Sequence, residues 1–365
     1  MDAWKSCQLG DIFTFQRGHD LPKKQMVSGE YPVVGSNGII GYHNEYTTES
    51  PSITIGRSGN TGNPFIVYGR SWSHNTTLYI KEFKGSDPVY VYYLLKTLDL
   101  GNFAGGSAVP TLNRNHIHTL EISVPPLSEQ VEIGNSLRAM DDKIASNTKI
   151  NHHLEQMAQA IFKSWFVDFE VSKPFTEVVR VLGGGTPKTG TAEYWNGEIP
   201  FFTPKDALGT YALTTEKTLT EAGLSNCNSR LYPINTVFVT ARGTVGKLAL
   251  AGCPMAMNQS CYALAGTNGY GQHYVYHLAQ YVVESLKHKA SGAIFDAIVT
   301  RDFESEIVPA LTVDEANSFE EKVVPIYEAI LNNSKENLRL TEFRDTLLPR
   351  LMSGELPVAD LVSAK

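Results

Sequence analysis

The sequence predicts an α+β protein in which two repeated strand-rich domains are separated by two long helices that form an antiparallel coiled coil. Three observations carry that prediction. Apolar and Asn residues step by three and four through Leu137, Met140, Ile144, Asn147, Asn151, Leu154, Ala158, Ile161 and Trp165. The same steps recur through Val323, Ile326, Ile330, Asn333, Asn337, Leu340, Leu347 and Leu351, with Arg344 at one position of the series, which is the a/d spacing of a coiled-coil seam. The second series follows the first at a constant offset of 186 residues, and a near-identical offset of 184 relates Tyr90-Val91-Tyr92 to Tyr274-Val275-Tyr276 and Val124-Pro125 to Val308-Pro309. Ahead of each helix, short apolar runs alternate with Gly, Asn and Pro turns, the pattern of a strand-rich domain.

The first domain spans residues 1–127. Its strand signals are Ser52–Ile55, Pro64–Val67 and Thr77–Ile80, and Val89–Leu98 reads as a helix. Pro125-Pro126 stops the domain, and Ser128 can cap a spacer helix within 128–170 that runs to about Phe166. The second domain, 171–311, repeats the plan with strands at Ile199–Thr203, Thr236–Thr240 and Lys247–Ala251 and a helix at Tyr274–Leu286. Thr312 and Glu315 form a capping box for the distal helix and tail, 312–365. Pro325 and Pro349 predict a kink or late start near 325 and a break near 349, with the helix finished by Gly354. Asn147, Asn151, Asn333 and Asn337 sit centrally in their seams, so antiparallel pairing brings the Asn layers together and fixes register.

Composition limits the function. The 365 residues are 42% hydrophobic and 19% charged, values of an ordinary globular protein. No apolar run reaches membrane-spanning length and Met1–Gly10 lacks a signal-peptide pattern, so a cytoplasmic protein is expected. Cys7, Cys227, Cys253 and Cys261 show no CxxC spacing and read as reduced thiols. The net charge of −7 argues against a polyanionic partner until its distribution is considered. Acids are absent between Glu49 and Glu82, where Arg57, Arg70 and Lys81 occur, and from Ala222 to Val283, where Arg230, Arg242 and Lys247 occur. Acids gather in the long helices, so the domains are the parts suited to approach phosphates; low charge is also common in β-rich domains.

The chain is identified as resembling the DNA-specificity (S) subunits of Type I restriction-modification systems. The resemblance rests on Tyr31-Pro32-Val33 with Gly35-Ser36-Asn37-Gly38-Ile39-Ile40-Gly41-Tyr42, and on Gly184-Gly185-Thr186-Pro187, Tyr194-Trp195-Asn196-Gly197 and Arg242-Gly243-Thr244-Val245-Gly246. Pro125-Pro126-Leu127, Leu347-Leu348-Pro349-Arg350-Leu351 and Ser353-Gly354 extend it over nearly the whole chain. It implies that each domain is a target recognition domain reading half of a split double-stranded DNA sequence. The coiled coil would then set the gap and dock methyltransferase (M) subunits, two of them, with restriction (R) subunits in the full complex. No cofactor is expected in this chain; S-adenosylmethionine, ATP and Mg would belong to the partner subunits. Two other readings stay open here: an S-like subunit of another restriction-modification type, or a coiled-coil scaffold whose domains bind proteins.

Base readers should be polar side chains in the loops that differ between the domains. Candidates are Arg17, His19, Ser36, Asn37, Trp72, His74 and Asn75 in the first domain, and Thr203, Lys205, Asp206, Asn258 and Gln259 in the second. Trp72 also reads as core, and the loop Asn and His residues as turn formers. Arg57-Ser58-Gly59-Asn60-Thr61-Gly62 parallels Arg242-Gly243-Thr244-Val245-Gly246 with one residue inserted, which makes Arg57 and Arg242 shared phosphate ligands or shared structural residues. Lys188 and Lys247 are further candidate DNA contacts. The turn Gly183-Gly184-Gly185-Thr186-Pro187-Lys188 lacks the Gly-Lys-Ser/Thr of a nucleotide loop and reads as a structural turn or a DNA-backbone contact. His116 and His118, placed where a strand begins, and His152-His153 on the spacer helix have no carboxylate or Cys partner for a metal. Val124-Pro125-Pro126-Leu127 supplies neither the amide nor the aromatic of an amino-methyltransferase loop, and no Gly-x-Ser-x-Gly elbow or nuclease magnesium set is present. A non-catalytic chain is therefore expected.

Overall fold

Two long helices, Leu127–Ser164 and Val313–Met352, organise the chain. In a computed structural model describing residues 4–105, 110–165, 172–289 and 296–358, residues 1–144 with 339–365 form one compact unit and residues 145–338 another. The expected helix end at Phe166 lies outside the described residues. The long helices pair antiparallel within each unit. In the second unit, Asn147 Nδ2 donates to Glu336 Oε2 (2.8 Å) and Asn337 Oδ1 (2.9 Å), and Asn151 Nδ2 donates to Ser334 Oγ (3.2 Å) and the Ile330 carbonyl (3.3 Å). Asn333 Nδ2 returns a bond to Asn151 Oδ1 at 2.8 Å. Partner numbers fall as the first helix's numbers rise, and the Asn layers meet as the seam predicts. In the first unit the seam residue Arg344 ion-pairs with Asp141 and Asp345, and Tyr93 Oη donates to Asp141 Oδ2 at 2.6 Å.

The first unit holds, among the described residues, β1 (Lys5–Gln8), β2 (Thr14–Arg17), β3 (Tyr31–Gly35), β4 (Gly38–His43), β5 (Ser52–Gly56), β6 (Pro64–Val67), β7 (Trp72–Ser73), β8 (Thr77–Glu82) and β9 (Glu121–Val124). They form sheets ordered β2-β8-β5-β6, β4-β3-β7 and β1-β9. The second unit holds β10 (Ser172–Pro174), β11 (Val179–Gly183), β12 (Trp195–Phe202), β13 (Tyr211–Ala212), β14 (Thr218–Leu219), β15 (Val237–Thr240), β16 (Leu248–Ala251), β17 (Ala256–Met257), β18 (Cys261–Gly266) and β19 (Ile307–Pro309). Their orders, β11-β18-β15-β16-β13, β14-β12-β17 and β10-β19, repeat the first set with β13 added at one edge. The central strands β5 and β15 are buried along their whole length, in keeping with the β-branched and aromatic residues Ile53-Thr54-Ile55 and Val237-Phe238-Val239-Thr240. Against these sheets pack the helices Pro88–Thr97 and Gln272–Lys289, through Tyr90, Tyr93 and Leu94 in one and Tyr274, Val275 and Leu278 in the other.

Three local expectations are corrected. The second long helix neither starts late at Pro325 nor breaks at Pro349. Thr312 and Glu315 close the predicted capping box, with Thr312 N and Oγ1 both on Glu315 Oε2 (2.8 and 2.7 Å) and Glu315 N on Thr312 Oγ1 (3.3 Å). A helical proline costs about 3 kcal/mol, but Ala316, Phe319, Val323, Tyr327 and Ile330 on either side of Pro325 are at most 1% exposed. Each large apolar side chain buried contributes about 1.5–3 kcal/mol, so packing overrides the lost hydrogen bond. The chain leaves the helix only at Gly354, whose φ of 74° is open to glycine. Second, Ser128 lies inside the first long helix, which begins at Leu127. Buried Gln130 organises that end instead: Nε2 donates to the Pro125 carbonyl (2.9 Å), and Oε1 accepts from Asp87 N (3.0 Å), while Asp87 Oδ1 caps Tyr90 N (2.8 Å). Third, His116 and His118 lie on a short helix, Arg114–His118, and not on a strand, because the Asn113 side chain caps Asn115 N (3.0 Å). His118 Nε2 accepts from Phe15 N at 3.0 Å and so serves the fold.

A buried polar group joins the helix Gln272–Lys289 to the second long helix. Glu320 accepts from His273 N (2.8 Å), Tyr274 N (3.1 Å) and His273 Nδ1 (2.8 Å). Burial pushes its carboxyl up, but these partners outweigh burial and hold it below the ordinary range. His277, stacked on Phe162 and hydrogen-bonded to Tyr327 Oη at 2.9 Å, is pushed down to about 3, by burial first and the nearby His273 second.

Two predictions follow from these contacts. Asn151→Ala leaves the half-buried Asn333 amide on the facing helix without its acceptor and should lower stability by about 1 kcal/mol. Asn151→Leu combined with Asn333→Leu removes both partners and should cost less than that single change, as read by urea unfolding of the full chain. His277 stays neutral in the fold while the unfolded chain takes up a proton below about 6.5. Its contribution is complete above that pH and is lost as pH falls, with a slope of up to ~1.4 kcal/mol per pH unit. Between pH 6 and 5 the variant His277→Gln should lose up to that much less stability than the native chain; equal slopes would show that His277 is not the group responsible.

Candidate nucleic-acid interface

In each unit three loops meet at the end of the small three-stranded sheet, and the same backbone bonds hold them. β3 runs parallel to β7 with Val34 opposite Ser73, and β12 runs parallel to β17 with Phe202 opposite Met257. One residue on, His74 N donates to the Val34 carbonyl and Asn258 N to the Phe202 carbonyl, both at 2.9 Å. The arginine-bearing turn is tied from both sides. Arg57 N donates to the Thr76 carbonyl (2.8 Å) and Leu112 N to the Arg57 carbonyl (2.9 Å). In the second unit, Ala241 N donates to the Ser260 carbonyl (2.8 Å) and Ile298 N to the Ala241 carbonyl (2.9 Å).

That pattern corrects the expected alignment of the two arginines. Gly62 N closes the turn on the Gly56 carbonyl, as Gly246 N does on Thr240, both at 2.8 Å, and left-handed Gly59 (φ 84°) corresponds to Gly243 (φ 81°). The turns are equal in length, with no residue inserted. Arg57 therefore corresponds to Ala241, which is 3% exposed, and Arg242 corresponds to Ser58. Both Ser58 and Arg242 form isolated bridges, to Thr111 and Ala297 respectively. Matching the two Arg letters moved the alignment by one position; the backbone bonds decide it.

The glycine turns are equally constrained. A Cβ on Gly18 would lie 2.1 Å from the His74 carbonyl oxygen, and one on Gly184 would lie 2.2 Å from that of Asn258. No side chain fits there, so the Gly183-Gly184-Gly185 run is a structural turn at its middle residue. Just beyond it the Asn75 side chain bonds Asp20, and the Gln259 side chain bonds Thr186, at matching places.

Around this frame the first unit brings its candidates together. Ser36 and Asn37 form the turn between β3 and β4, and Ser36 N donates to Thr76 Oγ1 (3.3 Å). Thr76 Oγ1 also contacts His74 Nδ1 (3.1 Å). His19 lies beside Trp72 and Tyr79, and half-buried Trp72 donates from its indole to the His19 carbonyl (3.4 Å), a packing position. Arg17 pairs with Asp20 at 3.7 Å on the exposed rim.

The second unit arranges a more cationic surface. Thr203, Lys205, Lys217, Arg242, Asn258 and Ser260 line an open cavity of about 360 Å³, with Glu216 holding Lys205 at 3.1 Å. Asp206 is engaged by its own loops: Oδ2 accepts from Thr203 N and Oγ1 (both 2.7 Å) and Oδ1 from Glu216 N (2.9 Å). Lys188 and Lys247 lie off the cavity lining; Lys247 Nζ reaches the Ala207 carbonyl at 3.5 Å. Lys217 and Ser58 were missed in the sequence. Lys217 reaches the site only through the sheet, 25 residues before Arg242, and Ser58 was hidden behind the misplaced arginine match. The set offers guanidinium, ammonium, amide and hydroxyl groups, suited to phosphate oxygens and base edges.

The sequence family described as Type I restriction modification DNA specificity domain matches residues 1–156 and again 167–310. The chain belongs to this family. Among family relatives, the MjaIX specificity subunit of Methanocaldococcus jannaschii is 25% identical over 301 residues, covering 74% of this chain and 70% of that protein. The HindI specificity subunit of Haemophilus influenzae is 26% identical over 327 residues, covering 68% and 71%. The crystal structure of a Type I restriction-modification S subunit from M. genitalium superposes with a TM-score of 0.69 at 16% identity over 96% of both chains, which bears on the fold. This specificity-domain chain thus carries the family's unit twice. Among the described residues, no helix is long and apolar enough to cross a membrane.

The glycine geometry gives a discriminating prediction. Gly184→Ala should destabilise by about 1–3 kcal/mol, because backbone and not a flexible side chain blocks the new methyl. Gly183→Ala, which meets nothing within 4 Å, should be nearly neutral in thermal melting.

Proposed function

We propose that this chain is the non-catalytic DNA-sequence-reading subunit of a Type I restriction-modification complex. One observation carries the reading: a single chain holds the same three-sheet frame twice, with unlike side chains on the same loops. A repeated frame with unlike faces suits a target of two different halves. Each domain reads one half by base-edge contacts, while phosphate contacts position it. The paired long helices set the gap between the halves and offer the docking surface for two methyltransferase subunits, with restriction subunits joining the full complex. Base extrusion and methyl transfer belong to the partners, as do S-adenosylmethionine, ATP and magnesium. The complex works in the cytoplasm.

Methylome sequencing of the host with and without this gene tests the proposal. An asymmetric, two-part methylated motif should be present with the gene and absent without it. An unchanged methylome in a host that expresses the chain and its methyltransferase partner would refute it. The chain with its partner should also bind duplex DNA with an affinity that falls as salt rises.

A further inference from the structure

From the corrected register we infer that the position filled by Ser58 in the first unit and by Arg242 in the second determines specificity, and that Arg242 reads a guanine. This rests on the proposed DNA-reading function and adds which residues choose the bases.

The backbone at this position is the same in both units. Residue 58 and residue 242 each bridge to a segment beyond the sheet-packing helix of their unit, at Thr111 and Ala297, and each is followed by a left-handed glycine. With the frame fixed, only the side chain differs, and it differs in chemistry. Arg242 is exposed on the cavity shared with Lys205, Lys217 and Asn258. Ser58 lies among hydroxyl groups: Ser36 Oγ is 3.3 Å from where a Gly59 Cβ would stand, Thr76 Oγ1 accepts from Ser36 N, and Ser58 N donates to the Thr76 carbonyl.

A phosphate ligand holds any sequence, so a phosphate contact shared by the two copies would place a cation at the same backbone position in both. Here it does not have one. Arg57 does not supply it, because its position is the one taken by buried Ala241 in the second unit. What the two copies retain at this site shapes the loops and carries no charge: Gly18 and Gly184, Gly59 and Gly243, and the side-chain bonds made by the uncharged amides of Asn75 and Gln259. The exposed side chain that changes on an unchanged backbone is the one placed to discriminate. Arg carries only donors in a planar fork, which matches the paired O6 and N7 acceptors of guanine. Serine is short, both donates and accepts, and cannot make that pairing.

The test uses the full chain with its methyltransferase partner in the host, after the native motif has been read from the methylome. A chain whose removal leaves the methylome unchanged defeats the proposed function itself. Where the native motif is established, Arg242→Ser should lower the preference for guanine at one position of one half-site by about 10-fold or more, leaving the other half unaltered. Ser58→Arg should change preference only within the opposite half. Arg242→Lys, which keeps the charge but loses the fork, should relax the same position. Unaltered base preferences at every position, with methylation lowered evenly over all sites, would assign Arg242 to a phosphate and overturn the inference. If Arg242→Ser abolishes methylation, the Arg242→Lys and Ser58→Arg motifs decide: unchanged motifs in both overturn it.

Discussion

Register between the two long helices is the constraint on which each unit depends. An apolar a/d seam alone would tolerate sliding by a heptad, because Leu, Ile and Val layers interchange at small cost. Asn147, Asn151, Asn333 and Asn337 do not interchange with them. Their amides satisfy one another and Glu336, Ser334 and the Ile330 carbonyl only in the observed register. A slip would bury those amides against aliphatic side chains, costing about 1–3 kcal/mol for each group left unpaired. Arg344 and Asp141, joined by Tyr93 from the sheet-packing helix, impose the same condition in the first unit.

Upon that register each unit builds the same sheets and the same loop frame with little common sequence. Retained features are those with no alternative: a glycine where a carbonyl oxygen lies about 2 Å from any Cβ, and a left-handed glycine at each turn. Apart from the Asn75 and Gln259 side-chain bonds, the retained hydrogen bonds belong to the backbone and leave side chains free to differ. The second unit used that freedom to gather Lys205, Lys217 and Arg242, and the first to gather the hydroxyls of Ser36 and Thr76 with the His74 imidazole. Two surfaces with unlike hydrogen-bonding chemistry on one frame can read unlike sequences.

Buried polar groups inside the units follow a different logic from those of the loops. Glu320 spends its charge on the first backbone N–H groups of the helix Gln272–Lys289, where a carboxylate complements the helix dipole. Gln130 couples the start of the first long helix to the Asp87 cap of the helix Pro88–Thr97. These residues fix each sheet-packing helix on the long helices, so loop positions inherit the rigidity of the seam.

The sequence by itself determined the duplication, the two long helices, the capping box at Thr312 and the meeting of the Asn layers. These follow from periodicity and local chemistry, which act within a few residues and are written in order along the chain. It also placed Ser36, Asn37, His74, Asn75, Lys205, Asn258 and Gln259 in the loops that the fold gathers. Tertiary structure alone decided that Pro325 stays within a continuous helix, because the compensating burial of Phe319, Val323 and Tyr327 comes from distant parts of the chain. It alone gave Asp206 to Thr203 and Glu216, and brought Lys217 beside Arg242. It also reassigned Arg242 to the position of Ser58. Letters can be matched with an insertion at no physical cost, whereas a backbone N–H must find its carbonyl within about 3 Å, and that requirement sets which residues of the two copies correspond.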